Sequence, residues 1–337
     1  MMKFNLLLLT LGMLLPIGAA AYNFEVDGIY YQVNGEDAIV TYESLFSHAY
    51  SGDVTIPETV TWNDTVRTVT AIGNNAFYGC TGLTGITIPG TITSIGSAAF
   101  YGCSKLEDIC IPKSVTAIGS SAFSGTAWYD NHPDGLVYAG HVVYKYKGVM
   151  PEGTSVIINY GTFGIAGSAF GDCYGLTSVS IPNTVTHIGN SAFYDCRGLT
   201  NVIIPASVTT IENWAFGFCS NLTEIHCLAT VPPAIQAKTF HQCYGATLFV
   251  PEASVETYQT ADYWNLFATV NGQNETIPGD VDGDGFLNIG DVTTLISYLL
   301  RSEAIDERDL ERADLNHNNR LDIDDVTTLI NMLLSGN

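Results

Sequence analysis

Leu83-Thr-Gly-Ile-Thr-Ile-Pro89-Gly-Thr-Ile-Thr-Ser-Ile-Gly96-Ser-Ala-Ala-Phe100-Tyr-Gly-Cys103 is one copy of a word that the chain writes again and again. Leu176 to Cys196 and Leu199 to Cys219 repeat it closely. The pair Ala-Phe keeps the register, at Ala76-Phe77, Ala99-Phe100, Ala122-Phe123, Ala169-Phe170, Ala192-Phe193 and Ala215-Phe216. The phenylalanines step by 23, 23, 47, 23 and 23 residues, and a degenerate copy follows at Phe240-His241-Gln242-Cys243. Such a period marks a unit that cannot bury its own apolar face, so that copies must stack into a solenoid.

Within one copy, Leu83, Ile86 and Ile88 read as a short strand with one buried face, ended by Pro89, which lacks an N–H for the ladder. Ile92 and Ile95 turn inward on the opposite wall, and Gly96 is expected to permit a tight corner. Phe100 and Cys103 close the coil. The expectation is a mainly β solenoid with a parallel sheet on one side, its repeats spanning residues 71–247. Residues 22–70, with Tyr31, Val33, Val40 and Tyr42 in alternating segments, read as an N-terminal β cap. Residues 248–270, with Tyr258, Trp264 and Phe267, read as the closing cap. The 47-residue step leaves room for two coils, and residues 127–163 read as a β-hairpin insertion that breaks the register.

The Ile-Pro, Ile-Gly and Ala-Phe-x-x-Cys elements resemble the BspA-type leucine-rich repeats of surface proteins, over about residues 50–270. The resemblance implies recognition or adhesion at a surface.

Residues 1–21 carry one early cation, Lys3, then an apolar run and Ala19-Ala20-Ala21, the pattern of a cleaved secretory signal. No cysteine near that cut could take a lipid, and no later run is apolar for long enough to insert directly into a membrane. The net charge is −22, of which residues 279–337, with 13 acidic and 4 basic side chains, supply −9. That balance excludes nucleic acid as a partner and favours cations.

Chemistry beyond binding finds little support. Six of the eight cysteines (Cys80, Cys103, Cys173, Cys196, Cys219, Cys243) share one inward slot, Cys227 falls on a buried strand position and Cys110 on an outward one. Parallel Cβ vectors in stacked coils suit a disulfide poorly, so free thiols are expected. No CxxC, HExxH, GxSxG or phosphate-loop pattern occurs, and the scattered histidines form no catalytic set; His187 is expected on an exposed face. The solenoid shows no clustered acid pair for glycoside hydrolysis. Catalytic residues are expected to be none. Tyr78, Tyr101 and Tyr194 either pack across coils or line a recognition stripe.

After a polar linker at residues 271–278 the composition changes. Asp280, Asp282, Asp284, Asn288 and Asp291 fall at positions 1, 3, 5, 9 and 12 of a calcium loop, with Gly285 at the sharp turn and the Phe286 carbonyl at position 7. Asp314, Asn316, Asn318, Asp322 and Asp325 repeat the set, with Arg320 at the carbonyl position and Asn319 in place of the glycine. Four carboxylates against three, with the Arg320 cation offsetting the second set, predict tighter binding by the first loop. Each loop leads into the same helix, in which Val292, Leu295, Ile296 and Leu299, then Val326, Leu329, Ile330 and Leu333, make one apolar face. This duplicated loop–helix, residues 279–337, resembles a type I dockerin. The resemblance implies two calcium ions and a cohesin-bearing partner contacted through loop positions 10 and 11, here Ile289-Gly290 and Ile323-Asp324.

Two functions fit. One is a secreted, non-enzymatic recognition or adhesion protein with a protein or glycan ligand on the solenoid, held at the surface through the docking module. The other is a substrate-targeting subunit of a polysaccharide-degrading complex.

Overall fold

The computed structural model describes residues 22–44, 49–273, 279–282, 287, 289–301, 310, 312–316, 318 and 320–335. The expected signal segment, residues 1–21, lies outside them.

In the coil quoted above, the strand Gly82–Thr87 buries Leu83 and exposes Thr84 and Thr87, and the chain leaves the wall at Pro89. The two-residue strand Ser94–Ile95 on the opposite wall buries Ile95. Both walls pair, where a single sheet was expected. Ser94–Ile95 lies parallel between Ala71-Ile72 and Ala117–Ile118, and His187–Ile188 lies parallel between Gly164–Ile165 and Thr210–Ile211. On the other wall Ser51–Thr55 pairs with Gly82–Thr87, and Asn201–Ile204, Glu224–Cys227, Thr247–Pro251 and Thr269–Gln273 pair in turn. Inward isoleucines on both walls bring both backbones against the next coil, where their polar groups must find partners.

A column of stacked rings fills the centre. Phe77, Phe100 and Phe123 sit 5.0 and 5.5 Å apart, and Phe170, Phe193, Phe216 and Phe240 sit 5.0, 5.1 and 5.3 Å apart, all fully buried. Burying one such ring contributes about 1.5–3 kcal/mol. The backbone N–H of Phe77, Phe100, Phe170 and Phe193 donates at 2.7 Å to the alanine carbonyl of the following coil. The cysteines complete the link. Cys103 Sγ donates to the Phe77 carbonyl at 3.0 Å, and Cys196, Cys219 and Cys243 to those of Phe170, Phe193 and Phe216 at 3.1 Å. A thiol is small and apolar enough for the slot, and it adds a second hydrogen bond to a buried carbonyl that already accepts the N–H three residues on.

Gly96 does its work differently from the expectation. Its φ is not left-handed; a Cβ there would come within 2.4 Å of the Asn74 amide nitrogen. Coils spaced at about 4.8 Å leave no room for one. The left-handed residue is Ala98, two positions on, at φ 53°.

The Phe column is interrupted between Phe123 and Phe170, and the insertion bridges the gap. One helical turn, Ala127–Asp130, precedes an antiparallel hairpin of Gly135–Ala139 and Val142–Lys147, whose second strand pairs in parallel with Gly164–Ile165. Tyr144 Oη accepts the Phe123 N–H at 3.0 Å, replacing the carbonyl that the next coil supplies elsewhere, and Tyr146 N–H donates to Ala169 O at 2.8 Å. Lys147 Nζ fastens the turn to the hairpin through the carbonyls of Tyr129, Asp130 and His132. The insertion therefore joins the coils on either side. Its expected range also shrinks: Thr154–Ile157 pairs in parallel with Leu176–Ser180 and begins a regular coil. Asn159 stands where sister copies carry Pro89, Pro182 and Pro205, which hid the repeat.

The N-terminal cap is an antiparallel set, Phe24–Val26, Ile29–Asn34 and Asp37–Thr41, joined in parallel to Thr65–Ile72, with Tyr31 and Val40 buried. The closing cap is mixed and not purely β. Its helix Val255–Thr260 places Tyr258 Oη on Ala229 O at 2.7 Å, and Trp264 Nε1 reaches Pro233 O at 2.9 Å while its ring covers Phe240. Thr269–Gln273 extends the sheet three residues into the stretch expected as linker; residues 274–278 lie outside the described set.

None of the eight cysteines is in a disulfide; seven are buried and Cys110 is exposed. Burial raises the Cys103 thiol to about 12 and the Cys173 and Cys227 thiols to about 11, from an ordinary 9.0. A thiol raised on folding stabilises fully below its unfolded value, and that stability is lost as pH climbs through the folded one. Melting temperature should therefore fall across the window from 9.0 to about 12. A thiol-exchange dye at about pH 8 should titrate one cysteine in the folded protein and all eight after unfolding. Two or more reactive thiols in the folded state would contradict this packing.

Candidate metal centre and docking face

The first loop brings its acids together. Asp280, Asp282 and Asp291 are buried, and one carboxylate oxygen from each lies within 4.8 Å of the others. The helix Ile289–Arg301 begins inside the loop, so Asp291 stands in its first turn, where the helix dipole favours an anion. Asp291 Oδ1 also accepts the Asp282 N–H at 3.2 Å, tying helix to loop. Three buried carboxylates at this range repel one another strongly unless a cation neutralises them. Hard, all-oxygen donors in this spacing fit calcium. Asp284, Phe286 and Asn288, expected to complete the set with Gly285 at the turn, lie outside the described residues.

The second loop is organised by its own amides. Asp325 Oδ1 accepts from Leu315 N–H at 2.9 Å and Asn316 N–H at 3.3 Å, while Oδ2 accepts from Asp322 N–H at 3.0 Å. Asn318 N–H donates to Asp314 Oδ1 at 2.9 Å, and Arg320 N–H to Asn318 Oδ1 at 2.8 Å. Asp314 and Asp325 are buried, but among the described residues only the first loop gathers three acids at metal-holding range.

The helices Ile289–Arg301 and Ile323–Ser335 share a small core of Val281, Val292, Leu295, Ala313, Val326 and Leu329. Ile296 and Ile330, expected in that apolar face, are each 39 % exposed instead. The face is wider than one contact between two helices can cover, so its edge is left outside. Ile289, Ile323 and Leu300 are more exposed still, at 58, 66 and 80 %, and Gly290 and Asp324 lie at the same helix starts. The exposed apolar residues thus extend beyond loop positions 10 and 11 to Ile296, Leu300 and Ile330, which helical periodicity alone assigns to the inward face or leaves unplaced. Ile296 and Ile330 occupy the same place in the duplicated helix.

In the solenoid His187 is not on an open face. Its side chain is 16 % exposed and its Nε2 lies 3.4 Å from Glu212 Oε1. The His187 hydrogen bond holds the Glu212 carboxyl below the usual carboxylate range, with a further hydrogen bond from Asn190 N–H. The pair lines a cavity of about 550 Å3 together with small residues such as Ala71, Ser94 and Ala117. Tyr78 and Tyr101 stack on each other at 5.1 Å and remain 39 and 42 % exposed, so they pack across coils and stay on the surface.

The family model for the BspA type leucine rich repeat region matches in six copies, over residues 42–131 and 148–266. The chain belongs to the BspA-type leucine-rich repeat family. The dockerin type I domain matches residues 278–334, so the C-terminal module of this BspA-type protein is a type I dockerin, a calcium-binding module. Among solved structures, a leucine-rich repeat protein from Bacteroides ovatus ATCC 8483 is 24% identical, with 75% of this chain and 77% of that one covered and a TM-score of 0.34. The T. pallidum leucine rich repeat protein is 23% identical, with 72% and 92% covered and a TM-score of 0.30. A leucine rich cell surface protein from Faecalibacterium prausnitzii A2-165 is 18% identical, with 75% and 95% covered and a TM-score of 0.29. No curated protein matches the chain.

Calorimetric titration of Asp280→Ala and Asp314→Ala separates the two loops of the dockerin. Loss of the first site should remove the tighter of two calcium affinities and loss of the second the weaker. The reverse order would overturn the ranking by carboxylate count.

Proposed function

We propose that this is a secreted, non-catalytic recognition protein whose repeat solenoid carries the ligand surface and whose dockerin fastens it, with two calcium ions bound, to a cohesin-bearing scaffold or surface protein. The observation that carries the reading is the duplicated exposed apolar set, Ile289 with Ile323 and Ile296 with Ile330, on helices seated on calcium-type loops. Exposed isoleucines in matched places are costly for a module that stays alone and suit one that is covered by a partner. No helix among the described residues is long and apolar enough to cross a membrane. Secretion is the reading of residues 1–21, and attachment is assigned to the dockerin.

The test is capture of partners from native secreted and membrane fractions, with calcium and with chelator, by the full chain and by Ile296→Asp/Ile330→Asp. A cohesin-bearing protein should be retained by the full chain only with calcium and lost with the double variant. Capture that survives both chelation and the variant would remove the docking reading. The cargo carried by the captured scaffold separates surface adhesion from service in a polysaccharide-degrading complex.

A further inference from the structure

The sixth coil breaks a rule that its sisters keep. From Phe77 to Phe216, each central phenylalanine is flanked, two residues before and two after, by left-handed backbone, and Phe240 keeps only the later position, at Gln242. The earlier position holds Asn75, Ala98, Ser121, Ser168 and Ser191, and then Trp214 at φ 60°. The later one holds Gly79, Gly102, Gly125, Asp172 and Asp195, and then Phe218 at φ 63°. Small or locally hydrogen-bonding residues tolerate this conformation, whereas a bulky aromatic is strained in it. Strain kept twice in one coil, around one patch of surface, points to use.

The patch is built. The Trp214 and Phe218 rings lie within 7° of parallel with centroids 5.7 Å apart. Tyr194 from the preceding coil meets them at 6.1 and 5.3 Å, and His241 from the following coil at 5.0 and 5.3 Å, all steeply inclined. Lys238 places its ammonium 4.9 Å from the Trp214 ring. Gly217 fills the place held by Tyr78, Tyr101 and Tyr194 elsewhere, and a Cβ there would come within 2.8 Å of Trp214 Cε3. The glycine clears the space in which the indole lies. All four rings are half-buried, and none belongs to the hydrophobic core beneath them.

We propose that this ledge is the floor of a binding site for an uncharged oligosaccharide, which rests on the reading of the solenoid as the recognition body. Rings interlocked edge-to-face cannot reach into a partner's pocket as protruding protein anchors do. They form a fixed, half-buried aromatic surface. A pyranose presents a C–H face that the electron-rich side of an aromatic ring attracts, and a rim of hydroxyls that Lys238 and His241 can meet. Nucleic acid also stacks on aromatic faces, but a chain of net charge −22 repels its phosphates.

The test is calorimetry of the full chain, calcium present, against neutral cello-, xylo-, manno- and malto-hexasaccharides, alongside Trp214→Ser/Phe218→Gly. These are the residues that sister coils use, so the variant relaxes strain and keeps the fold. At least one hexasaccharide should bind the native protein, and the variant should bind it about tenfold or more weakly with an unchanged or higher melting temperature. Equal affinity in the variant would overturn the ledge while leaving the solenoid as a sugar binder. A melting temperature lowered by several degrees would make the rings structural and also overturn it. If no hexasaccharide binds while calcium-dependent capture of the scaffold persists, the ledge proposal is lost and the docking reading stands.

Discussion

Each coil is completed by the next one. The Phe N–H finds its acceptor on the following coil, the cysteine thiol reaches back to the preceding one, and the rings stack at 5.0–5.5 Å along most of the axis. A single repeat would leave all of these groups facing water, so no coil has a stable form of its own. The caps and the insertion follow from the same constraint. Trp264 covers the last ring of the column, and Tyr144 supplies an acceptor where the column breaks. Neither end nor middle can be left open.

That constraint also separates framework from surface. Inward slots are fixed by contact with two neighbouring coils, so they repeat Ile, Phe and Cys with little choice. Outward slots touch little and are free to differ. Trp214 and Phe218 are changes of the second kind, made at positions where the backbone resists them. The dockerin is organised differently: its core comprises a few apolar residues, and three buried carboxylates converge at a range that suits a cation.

The sequence made the coil period legible because Ala-Phe recurs in strict register, and the gathering of Asp280, Asp282 and Asp291 because acids at that fixed spacing suit one cation and serve little else. What it hid were relations between coils. Gly96 reads as a corner glycine, yet its role is the approach of the Asn74 backbone, a contact 22 residues away in the chain. His187 reads as exposed because its partner, Glu212, arrives from the next coil. Residues 154–163 escaped the repeat because Asn159 replaces the expected proline. Helical periodicity placed Ile296 and Ile330 on an apolar face but could not show how wide a strip two short helices cover.

The central claim is a solenoid that owes its stability to stacked coils alone, joined to a docking module whose fold depends on calcium. Scanning calorimetry of the full chain with calcium and with chelator tests it most directly. The account predicts two transitions, a larger one indifferent to calcium and a smaller one that shifts down or vanishes when calcium is removed. A single transition that calcium moves as a whole, or a larger transition that falls with chelation, would contradict it.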